Sequence, residues 1–229
     1  MSYRVAAALL ILLPGTFAFA DTIAIIGTGD VGAALGPEFA EQGHTIVYGS
    51  RDPERDKVKK LVGKTGDLAS ATTPADAAAR ADIVVLAVPG LMVDEITRSL
   101  GDLSGKIIID PTNPLERRMN RLEHAVDTSN AEIIQAAAPG AYVVKAFNTL
   151  NWRTMVDPSS AGGPVSIPLV GDNGRAKKTV AELVSGMGLE PIDVGPLRDA
   201  RWVEGMLILW INNRFGGTRP SFDYHLRRN

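Results

Sequence analysis

The chain has 229 residues, 45% hydrophobic and 22% charged, with 24 Lys and Arg against 26 Asp and Glu for a formal charge of -2. That length and apolar share support one sizeable core or two small ones and exclude a disordered or collagen-like chain. Zero cysteine excludes disulfides, thiolate metal sites and a cysteine nucleophile, and the missing basic excess removes the basis for holding nucleic acid or an anionic membrane, which leaves a small molecule as the expected partner.

Residues 1–20 carry Arg4, an apolar run from Val5 to Leu13, a break at Pro14 and Gly15, and the small-x-small sequence Ala18-Phe19-Ala20. The run is too short for roughly 30 Å of hydrocarbon, so the segment reads as a secretory leader cleaved before Asp21. Cleavage implies a periplasmic or secreted protein. The alternatives are an uncleaved anchor, or a start site set too far upstream of a cytoplasmic protein.

From Thr22 short β-branched runs alternate with longer helical patterns. Candidate strands lie at residues 22–26, 45–48, 82–88, 106–109 and 142–146, apolar at nearly every position. Such runs suit strands buried on both faces, and the segments between them are long enough for crossover helices. The pattern predicts an α/β fold with a Rossmann-like, doubly wound, mostly parallel sheet. Residues 21–150 form the first expected domain. Residues 151–229 form a small C-terminal extension packed on the same unit, with strands at 165–170 and 191–194 and helices at 175–186 and 197–213.

Gly27-Thr28-Gly29-Asp30-Val31-Gly32 follows the first strand and opens a helix at 33–42. Gly27 can make the tight turn, Gly29 leaves room for a pyrophosphate, and Gly32 allows close packing of helix on strand. The helix start offers free N–H groups and a partial positive charge to phosphate. At the end of the second strand, where an NAD-selective site usually carries a carboxylate, this chain has Gly49 and Ser50, then Arg51. Glycine leaves space for a 2'-phosphate, Ser50 offers a hydroxyl donor, and Arg51 can bind phosphate with two prongs. NADP is the expected dinucleotide. Arg55 and Lys57 read as solvated helix surface.

His44, His124 and His225 fall outside every strand-end motif and read as structural or solvated. Tyr142 and Lys145 are one residue too close for a Tyr-x-x-x-Lys pair. Lys145 is expected either to touch a ligand phosphate or carbonyl, or to reach solvent from its strand end. No cluster has metal-ligand spacing. The helix with Trp202, Met206, Leu207, Ile208, Leu209, Trp210 and Ile211 is the most hydrophobic piece after the leader. It reads as core, or as a homodimer face or a wall of the acceptor pocket. The tail from Arg214 to Asn229 reads as a solvated end.

Taken in order, residues 25–32, Gly49-Ser-Arg-Asp-Pro-Glu54, Val84-Val-Leu-Ala-Val-Pro89, Asp110-Pro-Thr-Asn-Pro-Leu115, Val143-Val-Lys-Ala-Phe-Asn-Thr149 and Asp193-Val-Gly-Pro-Leu197 make the chain similar to the NADPH-dependent reductases of the deazaflavin coenzyme F420. The resemblance implies hydride transfer between NADPH and a deazaflavin stacked on the nicotinamide, and related domains pass electrons to flavins such as FMN or FAD. It implies that Thr28, Gly29, Asp30 and Val31 line the pyrophosphate, with Ser50 and Arg51 at the 2'-phosphate. Val88 and Pro89 would pack near a ribose, Asn113 and Pro114 near the nicotinamide, and Ala146, Phe147 and Asn148 would form the floor under the second ring system, Asn113 and Phe147 acting by position alone. Two other readings stand beside this one: an imine or carbonyl reductase of the pyrroline carboxylate reductase type, and a non-catalytic dinucleotide-binding, redox-sensing module.

Overall fold

The first apolar run forms β1 (Thr22–Ile26), with Ile23 and Ile25 buried on one face and Ala24 and Ile26 on the other. The computed structural model describes residues 20–215 and 222–227. The proposed leader therefore lies outside the described residues, Ala20 apart. After β1 come α1 (Asp30–Glu41), β2 (Thr45–Gly49), α2 (Asp56–Thr65), β3 (Ala69–Thr72), α3 (Pro74–Arg80), β4 (Ile83–Leu86), α4 (Val93–Ser99), β5 (Ile107–Asp110), β6 (Leu115–Arg118) and β7 (Arg121–His124). They are followed by α5 (Asn130–Ala137), β8 (Tyr142–Lys145), α6 (Trp152–Val156), β9 (Ser166–Val170), α7 (Gly174–Gly186), β10 (Glu190–Gly195) and α8 (Ala200–Phe215).

Eight strands form one sheet in the order β10-β9-β8-β5-β4-β1-β2-β3. Six of them, from β8 to β3, run parallel. This is the doubly wound arrangement the sequence predicts, with its switch point where β1 lies between β2 and β4. β9 turns antiparallel to β8, and β10 runs parallel to β9. Leu35 and Phe39 of α1 with Val180 and Leu183 of α7 cover one face; Ala77 and Ala78 of α3 with Ala131 and Ile134 of α5 cover the other. Burial on both sides is why β1, β4 and β5 tolerate almost no polar residue.

Three features depart from the sequence reading. β3, Ala-Ser-Ala-Thr, is an edge strand whose half-exposed positions carry no apolar run. The charged segment after β5 folds as the β6-β7 hairpin, with Leu115 opposite His124. It docks on α8, where Asn212 accepts from the Leu122 amide at 2.8 Å and donates to the Leu122 carbonyl at 2.7 Å. The tail, expected to be solvated, returns at residues 222–227. Ser166 N donates to the Tyr224 carbonyl at 2.9 Å, Leu226 N to Ser166 Oγ at 2.7 Å, and Tyr224 OH to the Met206 carbonyl at 2.7 Å. β9 meets β8 only at Val170, so the backbone at Ser166 is open and the tail fills it.

Candidate functional site

The carboxyl ends of β1, β2, β4, β5 and β8 lie along one rim of the parallel sheet, where open α/β sheets hold ligands. Gly27 leaves β1 with φ +102° and donates to the Gly49 carbonyl at 3.0 Å. A side chain at Gly27 would collide with the Ala87 carbonyl, and one at Gly32 with the Gly27 carbonyl. These two glycines are demanded by the protein's own packing. At Gly29 an added carbon would meet nothing within 4 Å. Gly29 is also the N-cap of α1, whose first turn has no side-chain cap, whereas Thr73, Ser129, Asn151 and Asn173 cap α3, α5, α6 and α7. α2 and α4 share the lack of a side-chain cap. Gly29 and Asp30 are exposed, Val31 is half-buried and Thr28 is buried. Asp30 is the first residue of α1, at the same helix start.

Gly49 does not leave space for a phosphate. A side chain there would lie 2.7 Å from Ile26 Cδ1 and 3.0 Å from Pro74 Cα, so α3 already fills the gap. Ser50 is buried, and its hydroxyl donates to the Asp52 carbonyl at 3.0 Å and accepts from the Asp52 amide. It shapes the turn that presents Arg51, which is exposed. Tyr48, just before this turn, is fully buried with its hydroxyl 2.7 Å from Thr65 Oγ1, and burial pushes its phenol up to about 12.

Val88 is half-buried and Pro89 exposed beyond β4. Asn113 and Asn148 clasp each other across the ends of β5 and β8: Asn113 Nδ2 donates to the Asn148 carbonyl at 3.2 Å, and Asn148 Nδ2 donates to Asn113 Oδ1 at 3.0 Å. Asn148 Oδ1 is buried without a hydrogen-bond partner among the described residues. Ala146 and Phe147 do not form an open floor. Ala146 is fully buried, and the Phe147 ring packs edge-on against Phe39 at 6.2 Å inside the core. What Phe147 brings is its backbone, held at φ +62°. A non-glycine residue in that region costs about 1–3 kcal/mol and persists where packing over-determines it, here by burying the ring.

Lys145 reaches neither ligand nor solvent. It is fully buried between Asp110 and Glu204, at 2.7 and 2.6 Å. His124 lies beside Glu204 at 2.7 Å. The sequence reading missed this cluster, though three of its four members left a sign: one carboxylate in the most apolar helix, one lysine in an apolar strand, and an aspartate closing Ile-Ile-Ile. A charge where the pattern calls for an apolar residue points to a buried partner.

Residues 22–114 match the family model described as NADP oxidoreductase, coenzyme F420-dependent. Metalloreductase STEAP3 of Rattus norvegicus is 34% identical over 188 residues, 82% of this chain but 36% of that protein, so the chain spans about a third of this relative's length. The F420-dependent NADP reductase of Methanothermobacter thermautotrophicus is 32% identical over 207 residues, covering 83% of this chain and 88% of the relative. The crystal structure of a candidate F420-dependent NADP reductase from Arthrobacter sp. FB24 superposes with a TM-score of 0.83 at 33% identity, covering 91% of this chain and 100% of that one.

Proposed function

This chain belongs to the family of coenzyme F420-dependent NADP oxidoreductases, and we propose that it binds NADPH along the carboxyl ends of β1, β2, β4 and β5 and exchanges hydride with the deazaflavin coenzyme F420, or with a flavin, beyond β5 and β8. The observation that carries this reading is Gly29: nothing in the protein requires a glycine there, and a pyrophosphate approaching the uncapped start of α1 does. Arg51, exposed after a strand end that carries Ser50 in place of a carboxylate, suits a 2'-phosphate. When bound, NADPH supplies the hydride. The chain supplies position: Asn113 and Asn148 fix the ends of β5 and β8 to each other, and Val88 and Pro89 flank the approach from β4.

A deazaflavin is favoured as partner because the relative named for F420 is matched over 88% of its length, against 36% for the metalloreductase. α8 also leaves Trp202 and Leu209 exposed two turns apart, which supports pairing with a second copy on that face.

Paired glycine variants test the reading. Gly29→Ala keeps the wild-type melting temperature and lowers NADPH affinity by about tenfold or more, the scale of one lost charge-assisted hydrogen bond. Gly27→Ala lowers stability itself, by about 1–3 kcal/mol or more, because φ and the Ala87 carbonyl both oppose a side chain. Wild-type NADPH affinity in Gly29→Ala would take the pyrophosphate off this loop.

A further inference from the structure

Beneath the strand ends, charged side chains from four elements meet: Asp110 of β5, His124 of β7, Lys145 of β8 and Glu204 of α8. Lys145 Nζ donates to Asp110 Oδ2 at 2.7 Å, to Glu204 Oε1 at 2.6 Å and to the Thr112 carbonyl at 2.5 Å. Asp110 Oδ1 accepts from both the amide and the hydroxyl of Thr112, at 2.8 and 2.6 Å. The His124 ring nitrogens face the Val126 carbonyl and Glu204 Oε2, each at 2.7 Å. Two carboxylates thus meet two basic side chains, and neither acid is buried without a basic partner.

The cluster reaches outward to three loops. The Asn130 amide donates to Glu204 Oε1 at 2.9 Å, while its side-chain Nδ2 donates to Thr112 Oγ1 at 2.7 Å and to the Gly90 carbonyl at 2.9 Å. One residue before Glu204, the Val203 carbonyl accepts from Asn148 Nδ2 at 3.1 Å. One turn of α8 is thus tied to the loops after β4, β5 and β8. Gly90 shows how closely these loops fit, since a side chain there would strike the Asn113 carbonyl. Buried ion pairs are often no more stabilising than apolar packing of the same shape. A charged cluster bonded directly to the main chain of Thr112 after β5 and, through Asn130, to the Gly90 carbonyl after β4 fixes geometry that apolar contact does not.

We infer that Glu204 is a positioning residue: through Lys145, Thr112 and Asn130 it sets the loops forming the nicotinamide half of the groove. The phosphate half, at residues 27–32 and 50–51, does not depend on it. This rests on the NADP reading above. The test compares two ligands in the intact chain, NADPH and 2'-phospho-ADP-ribose, which has the same phosphates and adenosine without the nicotinamide. Binding is measured by calorimetry, and the nicotinamide environment by the emission shift of bound NADPH.

Glu204→Gln is expected to weaken NADPH by about tenfold and shrink its emission shift, while the fragment binds within about twofold of wild type. Parallel loss of both ligands, or loss of neither, would overturn the inference. Because Glu204→Gln can cost the fold, His124→Gln is measured beside it. That variant leaves Lys145 between its two carboxylates, and it is expected to show the same split at lower amplitude; no split there also overturns the inference. Wild-type protein that binds neither ligand removes the NADP reading and the inference together, which distinguishes the two failures.

Discussion

A methyl group added at Gly27 would run into the Ala87 carbonyl and one at Gly32 into the Gly27 carbonyl, while one at Gly29 would meet only open space. The spacing of the three is legible in the sequence because all lie in one local turn; the division of labour is not, since Ala87 comes from another strand. Arg51 carries the corresponding claim at the 2'-phosphate. Arg51→Ala is expected to weaken NADPH by about ten- to a hundredfold and leave NADH nearly unchanged, as one charge-assisted contact predicts; equal losses measured by titration would remove the role. Gly49 and Lys145 show where residue-level reading fails. Gly49 suggested room for a phosphate, but α3 occupies that room. Lys145 suggested a ligand or solvent, but its partners come from β5 and from α8, near the far end of the chain.

Elements buried on both faces announce themselves. β1, β2, β4, β5 and β8 were readable as apolar runs because helices cover both sides of the sheet, and their observed ends fall close to those predicted. β3 and the β6-β7 hairpin were not, because a half-exposed edge and a charged hairpin leave no such run. The tail leaves no such run for a related reason: its Tyr224 and Leu226 backbone groups bond Ser166 at the open start of β9, a contact that depends on topology rather than on side-chain pattern. α8 combines the two cases. Val203 and Leu207 are buried, Glu204 is the buried anchor, and Trp202 and Leu209 stand 68% and 67% exposed. If that face pairs two copies, light scattering gives the mass of a dimer for the wild-type chain and of a monomer for the Trp202→Glu, Leu209→Glu double variant. A wild-type monomer would leave the face without that role.

Across the whole molecule, one sheet joins the two ends of the candidate site. The features proposed to bind phosphate follow β1 and β2, and the paired asparagines follow β5 and β8, on the other side of β4. A dinucleotide laid over the switch point, as proposed, would bring its hydride-bearing ring to the end where α8 ties the loops together. On the proposed reading, the groups offered to the ligand are mostly main-chain amides and amide side chains. Such a set suits hydride exchange between two rings held face to face, in which positioning supplies much of the rate. The most direct measurement is NADPH oxidation by the purified protein, followed with coenzyme F420, FMN, FAD, a ferric chelate or no acceptor. Turnover with the deazaflavin or a flavin and negligible loss of NADPH without an acceptor are expected; tight NADPH binding with no oxidation by coenzyme F420, FMN or FAD would contradict hydride exchange with either class.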